Sequence, residues 1–434
     1  MRMVNLCRAA TRAAQSAMLG RTSFGLPHIP ERLPPCKWLH TQINSLNANP
    51  VAVQMIDYAF SHARSQKSAE SHAQSLLVLE QCLSTQPSEG QATDSDNSRG
   101  MVLMAMSTLL SERGNFDEAI EKLQKIQGLT CSSIDVRVAA MEALVGLHLE
   151  LEQDDTSSVL ADKCLELLEE NEPGFSSKGA DVIHTRAKAV KGLVELVRGH
   201  CQSAESFFHG PEDNKGLIGS VALSYGEFLH TTHNFSSAKE LYQKVIWLLS
   251  ENKDFTDLCA LAACNMSSEE VLIAATCALG QLEAQSGNFG DAEEILTRAL
   301  TKTEEHFGSH HPKVGVVLTC IALMFRRKAV EERSSSLLIQ EGLYRKAIEL
   351  LKAPPVDTEG AEAKIYRSDV AALARGGYAE ALSVQQNRKD QGERMKIWAE
   401  AAWKNQRLSL AEALEISDPS SKTMVIDARI GRAL

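Results

Sequence analysis

Long apolar runs and Cys-x-x-Cys pairs are absent from this sequence, and each absence excludes a class of protein. No apolar stretch approaches the roughly 18 to 20 residues that a membrane-spanning helix needs. Ten cysteines are present, but no two form a Cys-x-x-Cys pair, which is the usual ligand spacing of a structural zinc site. We therefore expect neither a membrane span nor a zinc-binding module.

Motifs of catalytic sites are missing as well. The sequence contains no glycine-rich phosphate loop, no nucleophile elbow and no His-Glu-x-x-His. His306, His310 and His311 lie within six residues, but zinc sites combine spaced ligands from ordered elements with cysteine or carboxylate partners. These observations predict a protein that is not an enzyme and has no catalytic residues, no cofactor and no metal.

Proline and aromatic residues are rare, and what remains favours helices. Only six prolines follow Gly100, each at a place where a helix should already have ended. Aromatic residues make up 5% of the chain, whereas apolar residues make up 44%, with alanine and leucine dominant. Small and aliphatic side chains are what helix–helix packing prefers, so an all-α body is expected.

A helical hairpin can be read from residues 271–300. A first helix, about residues 271–286, ends at Gly287, and the sequence GNFGDAEEILTRAL follows at residues 287–300. Its apolar residues recur every three or four positions, which is one stripe of a helix with 3.6 residues per turn. The small residues Gly280 and Ala292 allow the two backbones to approach closely.

Looser copies of this hairpin extend over most of the chain. A turn followed five residues later by alanine recurs in the segments GNFDEA (114–119), GHCQSA (199–204), HNFSSA (233–238), GLYRKA (342–347) and GGYAEA (376–381). Ala204 and Ala238 are 34 residues apart, and so are Ala347 and Ala381. One hairpin buries a single face, so it needs neighbours of the same kind.

These hairpins resemble the tetratricopeptide repeat (TPR) family, whose unit is a 34-residue pair of helices. The resemblance implies an all-α, TPR-like solenoid of helical hairpins wound as a right-handed superhelix. Other spacings reach 54 and 55 residues, so the repeats are irregular. The segment EEHFGSHHPKVGVVLTCIA, residues 304–322, resembles the loop between repeats of the kinesin light chain subtype.

The N-terminal segment differs from the rest in charge. Residues 1–40 carry six basic residues and one acidic residue, and the total net charge of −11 leaves −16 for residues 41–434. A basic, amphipathic and nearly acid-free start is typical of an organellar presequence; the alternative is a disordered segment. The expected parts are 1–40 as presequence, 49–84 as a degenerate first hairpin, 85–100 as a flexible linker, 101–300 as a TPR-like array, 301–416 as C-terminal TPR-like repeats with capping helices, and 417–434 as a tail.

The resemblance also implies a groove for partner peptides or helices, lined by the first helix of each hairpin. Projection of those helices onto the sequence selects the candidate partner-binding residues Thr108, Glu112, Glu227, His230, Gln281 and Gln285. A cluster of lysine, arginine and asparagine that would grip an acidic tail is missing. We expect a scaffold or assembly adaptor for protein partners in the mitochondrial matrix, with a plastid as the alternative location.

Two other functions remain open at this point. An organellar RNA-binding helical-repeat protein would read bases with its hairpins, but the acidic body disfavours binding to phosphates, so nucleic acid is not an expected partner. A cytosolic kinesin-light-chain-like adaptor would follow if residues 1–40 do not direct import.

Overall fold

The structure is a computed structural model that describes residues 48–86, 93–171, 178–208, 219–251, 264–333, 336–355, 366–416 and 423–434. The predicted presequence at residues 1–40 lies outside the described residues.

Helices dominate the described chain, as the sequence predicts. The first sixteen helices form eight consecutive pairs: α1 (Pro50–Gln66) with α2 (Ala69–Thr85), α3 (Thr93–Glu112) with α4 (Phe116–Gln127), α5 (Ile134–Glu150) with α6 (Asp154–Asn171), α7 (Lys178–Val197) with α8 (Cys201–Phe208), α9 (Gly219–Thr231) with α10 (Phe235–Glu251), α11 (Ser268–Gln285) with α12 (Phe289–Phe307), α13 (Pro312–Glu331) with α14 (Leu337–Leu350), and α15 (Ser368–Ser383) with α16 (Lys389–Ala402). A short helix α17 (Leu410–Leu414), two 3₁₀-helices (Cys264–Met266 and Gln386–Arg388) and two strands, β1 (Ile426–Asp427) and β2 (Arg432–Ala433), complete the described elements.

The pairs stack in two layers. Each odd-numbered helix from α1 to α13 contacts the next odd-numbered helix, and each even-numbered helix from α2 to α14 packs between its own partner and the first helix of the following pair. The odd-numbered helices therefore form an inner layer, and residues 270–284 of α11, for example, are buried at nearly every position. The predicted all-α, TPR-like array of helical hairpins is confirmed.

Glycine on the inner layer sets the distance between the two helices of a pair. A Cβ atom at Gly192 would lie 2.7 Å from the ring of Phe208, and one at Gly226 would lie 2.8 Å from the ring of Tyr242. Both contacts join residues 16 positions apart, in hairpins that are offset by 34 residues. In both pairs the two helices therefore approach closely, because a ring of the second helix packs against a glycine of the first.

The predicted flexible linker at residues 85–100 is wrong in its second half. The first eight residues of α3 fall inside it, and they include buried polar side chains. Asp96 accepts a hydrogen bond from the backbone N–H of Cys131 (3.2 Å), and Asn97 accepts one from that of Ser133 (2.7 Å). The polar composition of this segment predicts side chains that are exposed to solvent. Here they bond instead to backbone amides of the loop between α4 and α5, which take the place of water.

The predicted tail at residues 417–434 does not trail from the fold. All ten residues from Val425 to Leu434 are buried, and Ile426, Ile430 and Leu434 belong to the main hydrophobic core. No helix among the described residues is both long enough and apolar enough to cross a membrane.

Candidate functional site

Residues 423–434, called here the C-terminal hairpin, fold around a tight turn. Strand β1 pairs antiparallel with β2. The Asp427 carboxylate accepts a hydrogen bond from the backbone N–H of Arg429 (2.8 Å), and its carbonyl accepts one from the N–H of Gly431 (2.8 Å). Gly431 has φ +62°, and a Cβ atom there would lie 2.8 Å from the Arg367 side chain, so the turn requires glycine.

Two glutamines of α11 hold the main chain of this hairpin. The Gln281 carboxamide donates to the carbonyl oxygen of Ile426 (2.9 Å) and accepts from the N–H of the same residue (2.8 Å). One turn later, the Gln285 carboxamide donates to the carbonyl oxygen of Met424 (2.9 Å). Gln281 bonds to β1 as a neighbouring strand would, and Gln285 bonds to a residue two positions before β1. Both therefore recognise a backbone rather than a particular side chain.

Arg429 lies at the centre of the contact with α9. Its Nη2 donates to Glu227 (2.7 Å), to Asp427 (2.9 Å) and to the hydroxyl of Ser224 (3.1 Å), and the side chains of the three charged residues have no exposed surface. Burial and then the nearby Asp427 raise the pKa of Glu227 well above its usual value, while Arg429 opposes the change. Burial lowers the pKa of Arg429, but its two carboxylate neighbours more than reverse this, so the guanidinium stays charged.

Arg432 connects the hairpin to two distant helical pairs. Its guanidinium donates to both carboxylate oxygens of Asp154 (2.8 and 3.1 Å), at the start of α6, and to Asp369 of α15 (3.0 Å). It also donates to the carbonyl oxygen of Leu149 (3.1 Å), near the end of α5. Burial raises the pKa of Asp369, and Arg432 is the main group that opposes the rise.

His230 contacts Gln285, one of the two glutamines that bind the hairpin. One ring nitrogen bonds to the hydroxyl of Tyr242 (3.2 Å) and the other to the side-chain oxygen of Gln285 (2.7 Å). Burial lowers the pKa of His230 to about 4, although Gln285 favours the charged ring. A neutral imidazole therefore orients Gln285 toward the hairpin.

Asn405 and Arg407, just before α17, hold the other strand of the hairpin. The Asn405 carboxamide donates to the carbonyl oxygen of Ala433 (2.6 Å), and Arg407 donates to backbone oxygens of Leu434 (2.7 Å) and Thr423. Both strands are therefore held through their main chains by side chains of the surrounding helices and loops.

The candidate residues of the sequence analysis fall into two groups. Glu227, His230, Gln281 and Gln285 lie together, and with Asp154 and Asp369 they form the surface that we call the inner groove, which the C-terminal hairpin occupies.

Thr108 and Glu112 lie apart from this groove, in a second buried cluster. The Thr108 hydroxyl accepts from the backbone N–H of Cys264 (2.9 Å), and Glu112 pairs with Arg64 (3.1 Å) and His72 (3.5 Å). Burial alone would raise the pKa of Glu112, but Arg64 and the hydrogen bond from His72 lower it to about 2. Residues 264–266 cover this part of the inner layer.

The functional residues that the sequence analysis missed are Asp154, Asp369, Asp427, Arg429 and Arg432. A signal for two of them exists in the sequence VIDARIGRAL, residues 425–434, where two arginines stand three positions apart in an otherwise largely apolar segment. Such arginines need partners when the apolar residues around them are buried.

Comparison with known proteins agrees with this fold. A family model described as tetratricopeptide repeat matches residues 272–313, which span α11, α12 and the start of α13. The chain is therefore a TPR-like helical-repeat protein, a class whose repeats support interaction with other proteins. A search of the curated proteins finds no match.

The solved structures that are similar to the chain include the following two. BtubC (BKLC) from P. vanneervenii is 13% identical over 58% of this chain and 90% of its own, with a TM-score of 0.39. A signal transduction ATPase with numerous domains from Pyrococcus horikoshii, which has a tetratricopeptide repeat sensor, is 13% identical, with a TM-score of 0.38. That match covers 82% of this chain, which spans only 53% of the length of the Pyrococcus protein.

Proposed function

We propose that this chain is a non-enzymatic scaffold or assembly adaptor of the mitochondrial matrix, which binds a segment of a partner protein in its inner groove. The main support is that the groove already holds an extended segment, since Gln281 bonds to both backbone groups of Ile426. Hydrogen bonds to the main chain together with buried side chains are a common mode of peptide recognition.

The location rests on the first 40 residues. Their six basic residues, single acidic residue and amphipathic pattern support import into an organelle, with a plastid as the alternative to the mitochondrion. The likeness of residues 304–322 to the kinesin light chain subtype supports a cytosolic adaptor in the case that residues 1–40 do not direct import.

Binding of RNA is the weaker alternative. The groove presents the carboxylates of Asp154, Glu227 and Asp369, and residues 41–434 have a net charge of −16. Phosphate groups require lysine and arginine on the binding surface, so a groove of this charge favours a cationic polypeptide.

Proximity labelling in cells tests the proposal. The full-length chain and a variant that lacks residues 1–40 are each fused to a labelling enzyme. We expect the full-length chain to label a small set of mitochondrial proteins that the shortened variant does not label. Equal labelling of cytosolic proteins by both would contradict the location and favour the cytosolic adaptor, and release of RNA from the purified protein would favour the RNA-binding alternative.

A further inference from the structure

We propose that the C-terminal hairpin is a displaceable ligand of the inner groove, and that the groove accepts from a partner protein a segment with two arginines three residues apart. This inference rests on the proposed function, because it names the class of partner and the way in which the chain regulates access to it.

Side chains, and not a shared backbone ladder, attach the hairpin to the rest of the fold. Within the described part of the chain, every backbone–backbone hydrogen bond of residues 425–434 is internal to the hairpin. The contacts to the helices are made by side chains, among them Gln281, Gln285 and Asn405, which bond to main-chain groups. A segment of another sequence with the same backbone course would meet the same donors and acceptors.

The charges of the groove determine the chemistry of the occupant. If the hairpin leaves, Glu227 loses Arg429, and Asp154 and Asp369 lose Arg432. Burying a carboxyl group without a cation costs free energy, whether the group stays charged or takes up a proton, so the groove favours a positively charged replacing segment. Asp154 and Asp369 bind Arg432 through three of its N–H groups, a fork that a lysine ammonium does not match.

The apolar contacts define the rest of the pattern. Ile426, Ile430 and Leu434 are fully buried in the main core, and they stand before, between and after the two arginines. A partner segment that fits would therefore read aliphatic-x-x-Arg-aliphatic-Gly-Arg-x-aliphatic, with glycine at the position of Gly431, where the turn requires it.

Incomplete hydrogen bonding explains why the hairpin is displaceable. Within the described residues, Nη1 of Arg429 and Oε1 of Glu227 are buried without a hydrogen-bond partner. A partner segment that supplies a donor or a hydroxyl at this point gains what the hairpin forgoes. It must also compete with a ligand on the same chain, whose effective concentration is on the order of millimolar.

Peptide binding in solution tests the inference. The probe is a fluorescent peptide with the sequence of residues 423–434, TMVIDARIGRAL, added to the full-length protein. In a double variant, Arg429→Gln with Arg432→Gln, the hairpin loses its hold on the groove while the groove carboxylates remain. We expect this variant to bind the peptide at least tenfold more tightly than the wild type does.

Two controls sharpen the result. Arg113→Gln, at an exposed position between α3 and α4, should bind the peptide as the wild type does. A peptide with lysine in place of both arginines should bind the double variant at least tenfold more weakly, because it lacks the guanidinium fork. Equal binding of the two peptides would contradict the recognition of arginine.

Hydrogen exchange tests displacement of the hairpin in the wild-type protein, without a substitution. Excess unlabelled peptide at millimolar concentration should speed exchange of the amides at residues 424–434 of isotopically labelled protein several-fold, as the hairpin is displaced. Unchanged exchange, or a double variant that unfolds or that folds and does not bind the peptide, would identify the hairpin as a permanent part of the core. If the peptide does not displace the hairpin but the full-length chain labels mitochondrial proteins specifically, the scaffold proposal holds and the partner binds at a surface other than the groove. If the peptide binds but no such labelling is found, the groove is a binding site and the mitochondrial location is wrong.

Discussion

Acid should destabilise this protein through buried histidines, and His230 provides the sharpest test. Its ring has no exposed surface and bonds to Tyr242 and Gln285, and burial lowers its pKa from 6.5 to about 4. In the unfolded chain the same ring takes up a proton near pH 6.5. Between pH 6.5 and 4 the unfolded state therefore binds more protons than the folded state, so the free energy of unfolding falls as the pH falls.

The size of this effect follows from the two pKa values. A difference of about 2.5 units corresponds to about 3.4 kcal/mol of stability, present above pH 6.5 and lost once the pH is below about 4. At pH 5 the loss is about 2 kcal/mol by the same relation. Because other groups also titrate, the quantity to compare is the difference in unfolding free energy between the wild type and His230→Gln, in which the other groups cancel.

Urea unfolding at pH 7.5 and pH 5 measures this difference. We expect the stability advantage of the wild type over His230→Gln to shrink by about 2 kcal/mol at the lower pH. His310→Gln, at an exposed position, is the control for the change from histidine to glutamine. A difference for His230→Gln that is the same at both pH values would refute the reasoning, since it would mean that the folded protein protonates this ring as readily as the unfolded chain does.

Two further predictions concern a buried acid and a helix contact. Burial raises the pKa of Glu270 from 4.5 to about 7 despite its bond to Lys313. The folded protein therefore binds this proton more tightly than the unfolded chain does, and the resulting stability is lost as the pH rises from 4.5 through 7. Urea unfolding at pH 4.5 and 8 should show that Glu270→Gln removes about 3 kcal/mol of this pH dependence. In Gly280→Ala the new Cβ would lie 2.6 Å from the side chain of Leu296, which should lower the free energy of unfolding by about 1–3 kcal/mol, whereas Gly290→Ala, with no atom within 4 Å, should be neutral or stabilising by up to about 1 kcal/mol. Equal thermal stability of the two alanine variants would contradict the packing argument.

The helical pairs could be predicted from the sequence because their signals are local. An apolar stripe with a period of 3.6 and a glycine before it specify α12 within residues 287–307, and the 34-residue offset between Gly192 and Gly226 marks equivalent positions in two pairs. Such signals depend on neighbours one or two turns away, so they survive irregular spacing between the repeats.

The C-terminal hairpin could not be predicted in this way, since its contacts join residues far apart in the sequence. Gln281 lies 145 positions from Ile426, and Asp154 lies 278 positions from Arg432. Its two-residue strands are too short for an alternating pattern, and its arginines resemble solvent-exposed charges until their carboxylate partners are known. Residues 93–100 were missed for a related reason, because their polar side chains bond to backbone groups of the next loop.

The charges of the groove indicate the charge of the segment that it favours. The sequence lacks the cluster of lysine and arginine with which related grooves grip acidic tails, and this absence alone says nothing about what replaces it. In the structure, carboxylates of the groove, Glu227 and Asp369, face Arg429 and Arg432 of the bound segment. The two arginines thus belong to the hairpin, and the carboxylates Glu227 and Asp369 that they bind belong to the groove. A groove built in this sense discriminates against acidic segments by charge repulsion, so the search for a partner should begin with basic, arginine-containing ones.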